Sequence, residues 1–105
     1  MPRRRQPREI WYEVTRPRIW ERDGRRCVSP LEPPICRGKP AIALDVAHID
    51  HIHAGKLGTN EDTNLRTLCV VCHALRADRR HRHLTAKLVA EGILPPDWRA
   101  LVWDD

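Results

Sequence analysis

Two sets of side chains in this sequence have the types and spacing to do chemistry. The first is four cysteines in two pairs: Cys69 and Cys72 form a CxxC, and Cys27 and Cys36 enclose residues 28–35. A CxxC turn lets both thiolates face one ion, and four thiolates at about 2.3 Å make a closed tetrahedral zinc site. Such a site leaves no position for substrate, so its role is structural. A redox CxxC would need a βαβ setting that the sequence does not show. Replacement of one cysteine ligand by His48, His53 or His73 stays open at this level, as do four unrelated buried cysteines.

The second set is Asp50-His51, between the cysteine pairs, with His73 just after the second pair. Asp50 offers a hard oxygen ligand to a divalent cation, and His73 offers a second ligand. His51, with an ordinary pKa of about 6.5, suits a base that takes a proton from water at neutral pH. A cation held by few side chains keeps positions open for water and phosphate. Neighbouring side chains of a strand point to opposite faces, so Asp50 and His51 can share one spot only across a kink. The plainer alternative is that His48, His51 and His53 are polar positions on an exposed strand.

These residues need a scaffold, and 105 residues allow one domain. The core is lean: 41% of residues are hydrophobic and none is Phe. A metal staple therefore suits the chain. The four tryptophans, Trp11, Trp20, Trp98 and Trp103, lie towards the two ends, which predicts terminal segments folded back on a central unit. Residues 1–9 read as a flexible stretch within a basic arm, 1–15. Residues 16–23 read as a short helix, with Pro17 in its first turn and Gly24 as its stop. Residues 27–40 are a proline-rich loop. The segment 42–52 predicts a strand, 53–63 a long turn and 64–69 a second short strand. Val70–His83, without Gly or Pro, predicts one helix, and 84–91 another ending at Gly92. The fold class expected is α+β, a single domain over 16–105.

Lys and Arg outnumber Asp and Glu by 19 to 14, for a formal net charge of +5. A basic small domain favours polyanions such as nucleic acid. Arginine clusters at Arg3-Arg4-Arg5 with Arg8 and at Arg76, Arg79, Arg80 and Arg82 strengthen that expectation, because the planar guanidinium fork suits phosphate oxygens. Arg76, Arg79 and Arg80 are the candidate nucleic-acid-binding residues; a solvated helix face is the alternative. No apolar run approaches the roughly 20 residues of a membrane span. No apolar stretch follows the charged N-terminus as in a secretory leader. A cytoplasmic location without membrane partners is therefore expected, where paired cysteines more often hold metal than form disulfides.

The stretch AHIDHIHAGKLGTNEDTNLRTLCVVCHALR resembles the core of HNH endonucleases of the stand-alone phage and bacterial type, and WERDGRRC resembles the usual lead-in to the first zinc cysteine. The resemblance covers roughly residues 18–80 and joins DHI, NL and LCxxCH in order. Beyond it, the residues themselves suggest a helical segment over 84–105; the resemblance implies a ββα-metal core over about 42–80. It also implies hydrolysis of DNA phosphodiester bonds with Mg²⁺, Mn²⁺ or a similar divalent ion. By position, His51 matches the general base, Asp50 the acidic ligand before it, and His73 the final metal-binding histidine. Asn64 matches the middle Asn, which in the family steadies the loop between the strands. Ala77 stands where nuclease colicins carry a further histidine, which favours the Asp-plus-His form of the site. The first cysteine pair is wider than the usual CxxC, and His48 and His53 have no family role, so they read as structural or phosphate-facing. The partner expected is DNA, with the chain monomeric or dimeric. The alternatives are a non-catalytic zinc-ribbon module that only binds nucleic acid, or a nuclease subunit of a phage packaging or restriction complex.

Overall fold

A computed structural model of the chain describes residues 6–53, 58–76 and 82–104. The arginines at 3–5, 79 and 80 lie outside those residues. The described chain opens with a helix in three stretches: α1 (Arg8–Ile10), a π-helical turn (Trp11–Thr15) and α2 (Arg16–Arg22). Residues 8–15, expected as part of an arm, are thus helical, and only the segment before them lacks regular structure or lies outside the described residues. Pro17 has no N–H to give, and in a regular α-helix its ring crowds the carbonyl four residues back; the widened turn ahead of it relieves that contact. Gly24, at φ +76°, ends the helix, as its type suggests.

This helix is fastened by its own arginines. Arg16 donates to the carbonyls of Leu44 (3.0 Å) and Ala47 (2.7 Å), and Arg22 to those of Asp62 and Leu65, both at 2.6 Å. Trp20 Nε1 donates to the Ile42 carbonyl at 2.8 Å. Part of the basic composition therefore satisfies backbone oxygens within the fold, not a partner.

The expected strand 42–52 is shorter. Leu44–Val46 is a 3₁₀ turn, and β1 spans His48–His51. It pairs antiparallel with β2 (Leu65–Leu68) in the register His48↔Leu68, Ile49↔Thr67, Asp50↔Arg66 and His51↔Leu65. One face of this ribbon carries Ile49 and Leu65, which pack with Ile19 of α2 and with Trp11. The other carries His48, Asp50, Arg66 and Leu68, and faces α3 (Val70–Leu75). Strand alternation divides the sheet between two helices in this way.

The single helix expected over 70–83 is not formed. α3 stops at Arg76, whose backbone is extended (φ −66°, ψ 138°) and bridges Trp103. Trp103 N–H donates to the Leu75 carbonyl (3.1 Å) and its Nε1–H to the Cys72 carbonyl (2.8 Å), so the C-terminal segment takes over oxygens that a longer helix would have used. Residues 77–81 lie outside the described residues. α4 (Arg82–Ala90) docks back on α3 through Thr85 Oγ1, which donates to the Ala74 carbonyl at 3.1 Å, and Gly92 follows it at φ +74°. The larger core cluster gathers the four cysteines with Leu68, Val71, Leu75, Leu88, Leu94 and Trp103. The terminal tryptophans do fold back, as expected. The architecture is a small α+β fold with two antiparallel strands and a helix across them, the ββα-metal arrangement. No helix among the described residues is long and apolar enough to cross a membrane.

Candidate functional site

The proline-rich loop and the first turn of α3 bring the four thiols together. Cys27, Cys36, Cys69 and Cys72 are buried and free, with their sulfurs all within 4.8 Å of one another. A tetrahedral thiolate site has sulfur–sulfur edges of about 3.8 Å, so the cluster has the right size. Donors already converge on the sulfurs: Arg37 N–H (3.3 Å) and Cys72 N–H (3.4 Å) on Cys69, and Ser29 Oγ–H (3.0 Å) on Cys72. Gly38 supplies the close approach. A Cβ there would stand 2.6 Å from Cys27 Cβ and 3.0 Å from Cys69 Cβ. Hydrogen bonds from Cys69 and Cys72 pull the Cys27 thiol far below the ordinary range, and those same bonds to Cys27 hold Cys69 and Cys72 in the thiol form, above it. Four ionised sulfurs can coexist in that space only around a cation, so the cluster can hold a metal such as zinc.

One residue past this cluster, His73 leaves α3 on the side facing the sheet. Its Nε2 lies 3.3 Å from Asp50 Oδ1, and its Nδ1 lies 2.7 Å from Nδ1 of His48. The Asp50 side chain is fully buried. Its Oδ2 accepts from Arg66 Nε at 3.0 Å and lies 3.4 Å from Arg76 Nη1. Its Oδ1 is buried and takes no hydrogen bond. Burial alone would raise the Asp50 pKa. His73 beside it and the Arg76 and Arg66 guanidiniums outweigh burial, and hold the carboxyl below its ordinary value. A charged, buried oxygen without a donor is costly unless a cation completes it. Two adjacent ligands of an octahedral Mg²⁺ stand about 3 Å apart. The Oδ1–Nε2 pair fits a divalent cation on both counts.

His51 leaves β1 on the opposite face. Its ring stacks on Trp11 (centroids 5.6 Å apart, planes 4° apart), and its Nε2 meets Asn60 Oδ1 at 2.7 Å. The structure therefore joins Asp50 to His73 directly and holds His51 at the strand end through other partners, as strand alternation requires. Asn64 clamps the loop between the strands. Its Oδ1 accepts from His53 N–H (2.8 Å), and its Nδ2 donates to the carbonyls of His53 (3.1 Å) and Thr59 (2.8 Å).

Arg76 is a correction. Expected to grip phosphate, with a solvated helix face as the alternative, it does neither: its side chain is buried and donates to the carbonyls of His51 (3.0 Å) and Ile52 beside Asp50. The helix ends where Arg76 begins, which turns this side chain inward. His48, expected to be structural or phosphate-facing, sits on His73, while His53 is exposed. Sequence reasoning missed Trp11, Asn60, Arg66 and Gly38. Only His48 left a signal, the i, i+2 spacing that puts it on the strand face of Asp50.

Residues 34–79 match the family model of the HNH endonuclease. Over that span, somewhat under half of the chain, the sequence is similar to an HNH endonuclease domain. The matched span holds Cys36, β1, β2, the CxxC and His73, and it points to nuclease activity in broad terms. Comparison with curated proteins and with solved structures finds no match.

Proposed function

We propose that the HNH domain hydrolyses phosphodiester bonds of DNA, with His51 as general base and Asp50 and His73 holding a divalent cation, Mg²⁺ or Mn²⁺. The observation that carries this reading is the buried Asp50 Oδ1, which takes no hydrogen bond and stands 3.3 Å from His73 Nε2. The cation supplies charge to stabilise the phosphorane-like transition state and the leaving 3′ oxygen. The rest is done by the chain. Asn60 Oδ1 carries no hydrogen, so its contact with His51 requires the proton on Nε2 and leaves the Nδ1 lone pair as the base. Nδ1 takes the proton from the attacking water. Trp11 fixes the plane of the ring, and Asn64 holds the loop that brings Asn60 to it. Arg66 and Arg76 keep the Asp50 carboxylate charged at neutral pH. Zinc in the four-cysteine cluster is structural in this scheme, and Arg79 and Arg80 are the proposed phosphate contacts.

The test is cleavage of plasmid DNA by purified protein with and without Mg²⁺ or Mn²⁺, beside His51→Ala. Loss of the general base is expected to lower the rate about 10²–10⁴-fold, with zinc content, fold and DNA affinity unchanged. Wild-type protein that binds DNA and never cuts it with any divalent ion would leave a zinc-ribbon binding module in place of an enzyme.

A further inference from the structure

His48 is the one imidazole of this ribbon that neither the family resemblance nor the reaction above uses. Two residues before Asp50 in β1, it projects on the same face of the strand, towards α3. Its half-buried ring meets His73 edge-on, with planes 75° apart, centroids 4.9 Å apart and the two Nδ1 atoms separated by 2.7 Å. At that distance one nitrogen must carry a hydrogen and the other a lone pair. We infer that His48 is a positioning residue for the catalytic cation, accepting the Nδ1 hydrogen of His73 so that His73 Nε2 presents its lone pair beside Asp50 Oδ1.

The proton placement follows from what Nε2 faces. A neutral imidazole has one N–H, and binding a cation through Nε2 puts that hydrogen on Nδ1. His48 Nδ1 is then the acceptor. The opposite arrangement, with His48 donating, would leave the hydrogen on His73 Nε2, pointed at Asp50. There it would be an N–H donated to the carboxylate, the contact that helps hold Asp50 charged without a cation, and a cation can bind only where that hydrogen has left Nε2. Metal-binding histidines generally give their second ring N–H to a fixed acceptor, which sets the tautomer and the ring plane. That acceptor is usually a carboxylate, a carbonyl or water; here it is a second imidazole, itself held in a hydrogen-bonded strand.

This inference rests on the reading of Asp50 and His73 as the cation site, and the experiment separates the two. Mn²⁺ binding to zinc-loaded, full-length protein is measured by electron paramagnetic resonance for the wild type and for His48→Leu, His48→Asn and His73→Ala. Thermal melting of each variant checks that it folds. Loss of such an acceptor costs about 10–100-fold in metal affinity, and that is the loss expected for His48→Leu. His48→Asn can place its Oδ1 where Nδ1 stood and should bind within a few-fold of wild type. In Mg²⁺-saturated wild-type protein, ¹⁵N NMR should show the Nδ1 hydrogen on His73 with a coupling across the hydrogen bond to His48 Nδ1; this arm decides the matter if His48→Leu does not fold. Folded His48→Leu with wild-type Mn²⁺ affinity, or a Mg²⁺-saturated protein without that coupling, overturns the role of His48. Undiminished Mn²⁺ binding by His73→Ala overturns the cation site itself.

Discussion

The four-thiol cluster and the Asp50–His73 pair hang from the same short helix, and they differ in almost every respect that governs a metal. Cys69 caps α3, Cys72 lies in its first turn, and His73 is the next residue. The thiol cluster has four ligand side chains, none more than 2% exposed, backbone and hydroxyl donors on its sulfurs, and a glycine pressed against two of its Cβ atoms. The Asp50–His73 pair has two ligand atoms, one of them on a side chain that is 18% exposed. A closed set of ligands contributes folding energy and excludes substrate; an incomplete set keeps positions where water and phosphate can exchange. On the proposed reading, one helix thus ties a closed site to an open one. The rigidity of the first sets the position of His73 in the second.

That contrast is broken most severely at the thiols. Cys69→Ser, or removal of zinc with a strong chelator, is expected to abolish the cooperative thermal transition, because binding to such sites is worth about 10–16 kcal/mol and the unfolded chain has no preformed site. Near-ultraviolet circular dichroism beside elemental analysis checks it. A Cys69→Ser protein that melts like the wild type would remove the structural role of the cluster. Next in size is Arg76→Ala. It takes a buried guanidinium from a buried carboxylate and from two carbonyls, and breaking such a pair costs about 3–5 kcal/mol. Urea unfolding should show this loss while zinc content stays at the wild-type level. Unchanged stability with weakened DNA binding would return Arg76 to the phosphate-contact role first expected of it.

How much of this was legible beforehand differs between the same two regions. The thiol site is specified by local spacing: a CxxC at a helix start and a second pair across a proline-rich loop. The candidate catalytic residues were picked out through a linear motif, DHI to NL to LCxxCH, whose order is present in the sequence. Their supports were not found, because they come from elsewhere in the chain. Trp11 is 40 positions from His51, and Arg66 meets Asp50 only through strand register, which a four-residue strand does not announce. Arg76 was misjudged for a related reason. Composition predicted a helix through it, but the Leu75 carbonyl is taken by Trp103 from the far end of the chain, and the helix stops. The basic charge misled in part as well, since Arg16, Arg22 and Arg76 are bound to internal carbonyls.

The smallest effect expected on stability is also the one that most sharply divides geometry from metal affinity. Asn64 touches neither candidate metal site. Its three hydrogen bonds close the loop between β1 and β2, and that loop carries Asn60 to the Nε2 of His51. Asn64→Ala leaves the His53 N–H and two carbonyls without these partners, at a cost of about 1–3 kcal/mol; exposure of His53 to water should keep the loss towards the lower end. Zinc content and Mn²⁺ affinity should stay as in the wild type, because Asp50 and His73 are anchored by β2 and α3. Activity should still fall, by up to about 10²-fold, because a base displaced by about 1 Å loses its alignment with water. The readout is kcat for plasmid cleavage at saturating Mn²⁺ beside the Mn²⁺ binding curve of the same sample. A fall in kcat with intact cation binding places the base under control of the loop. Loss of both together would mean that Asn64 supports the ribbon as a whole and not the placement of the base alone.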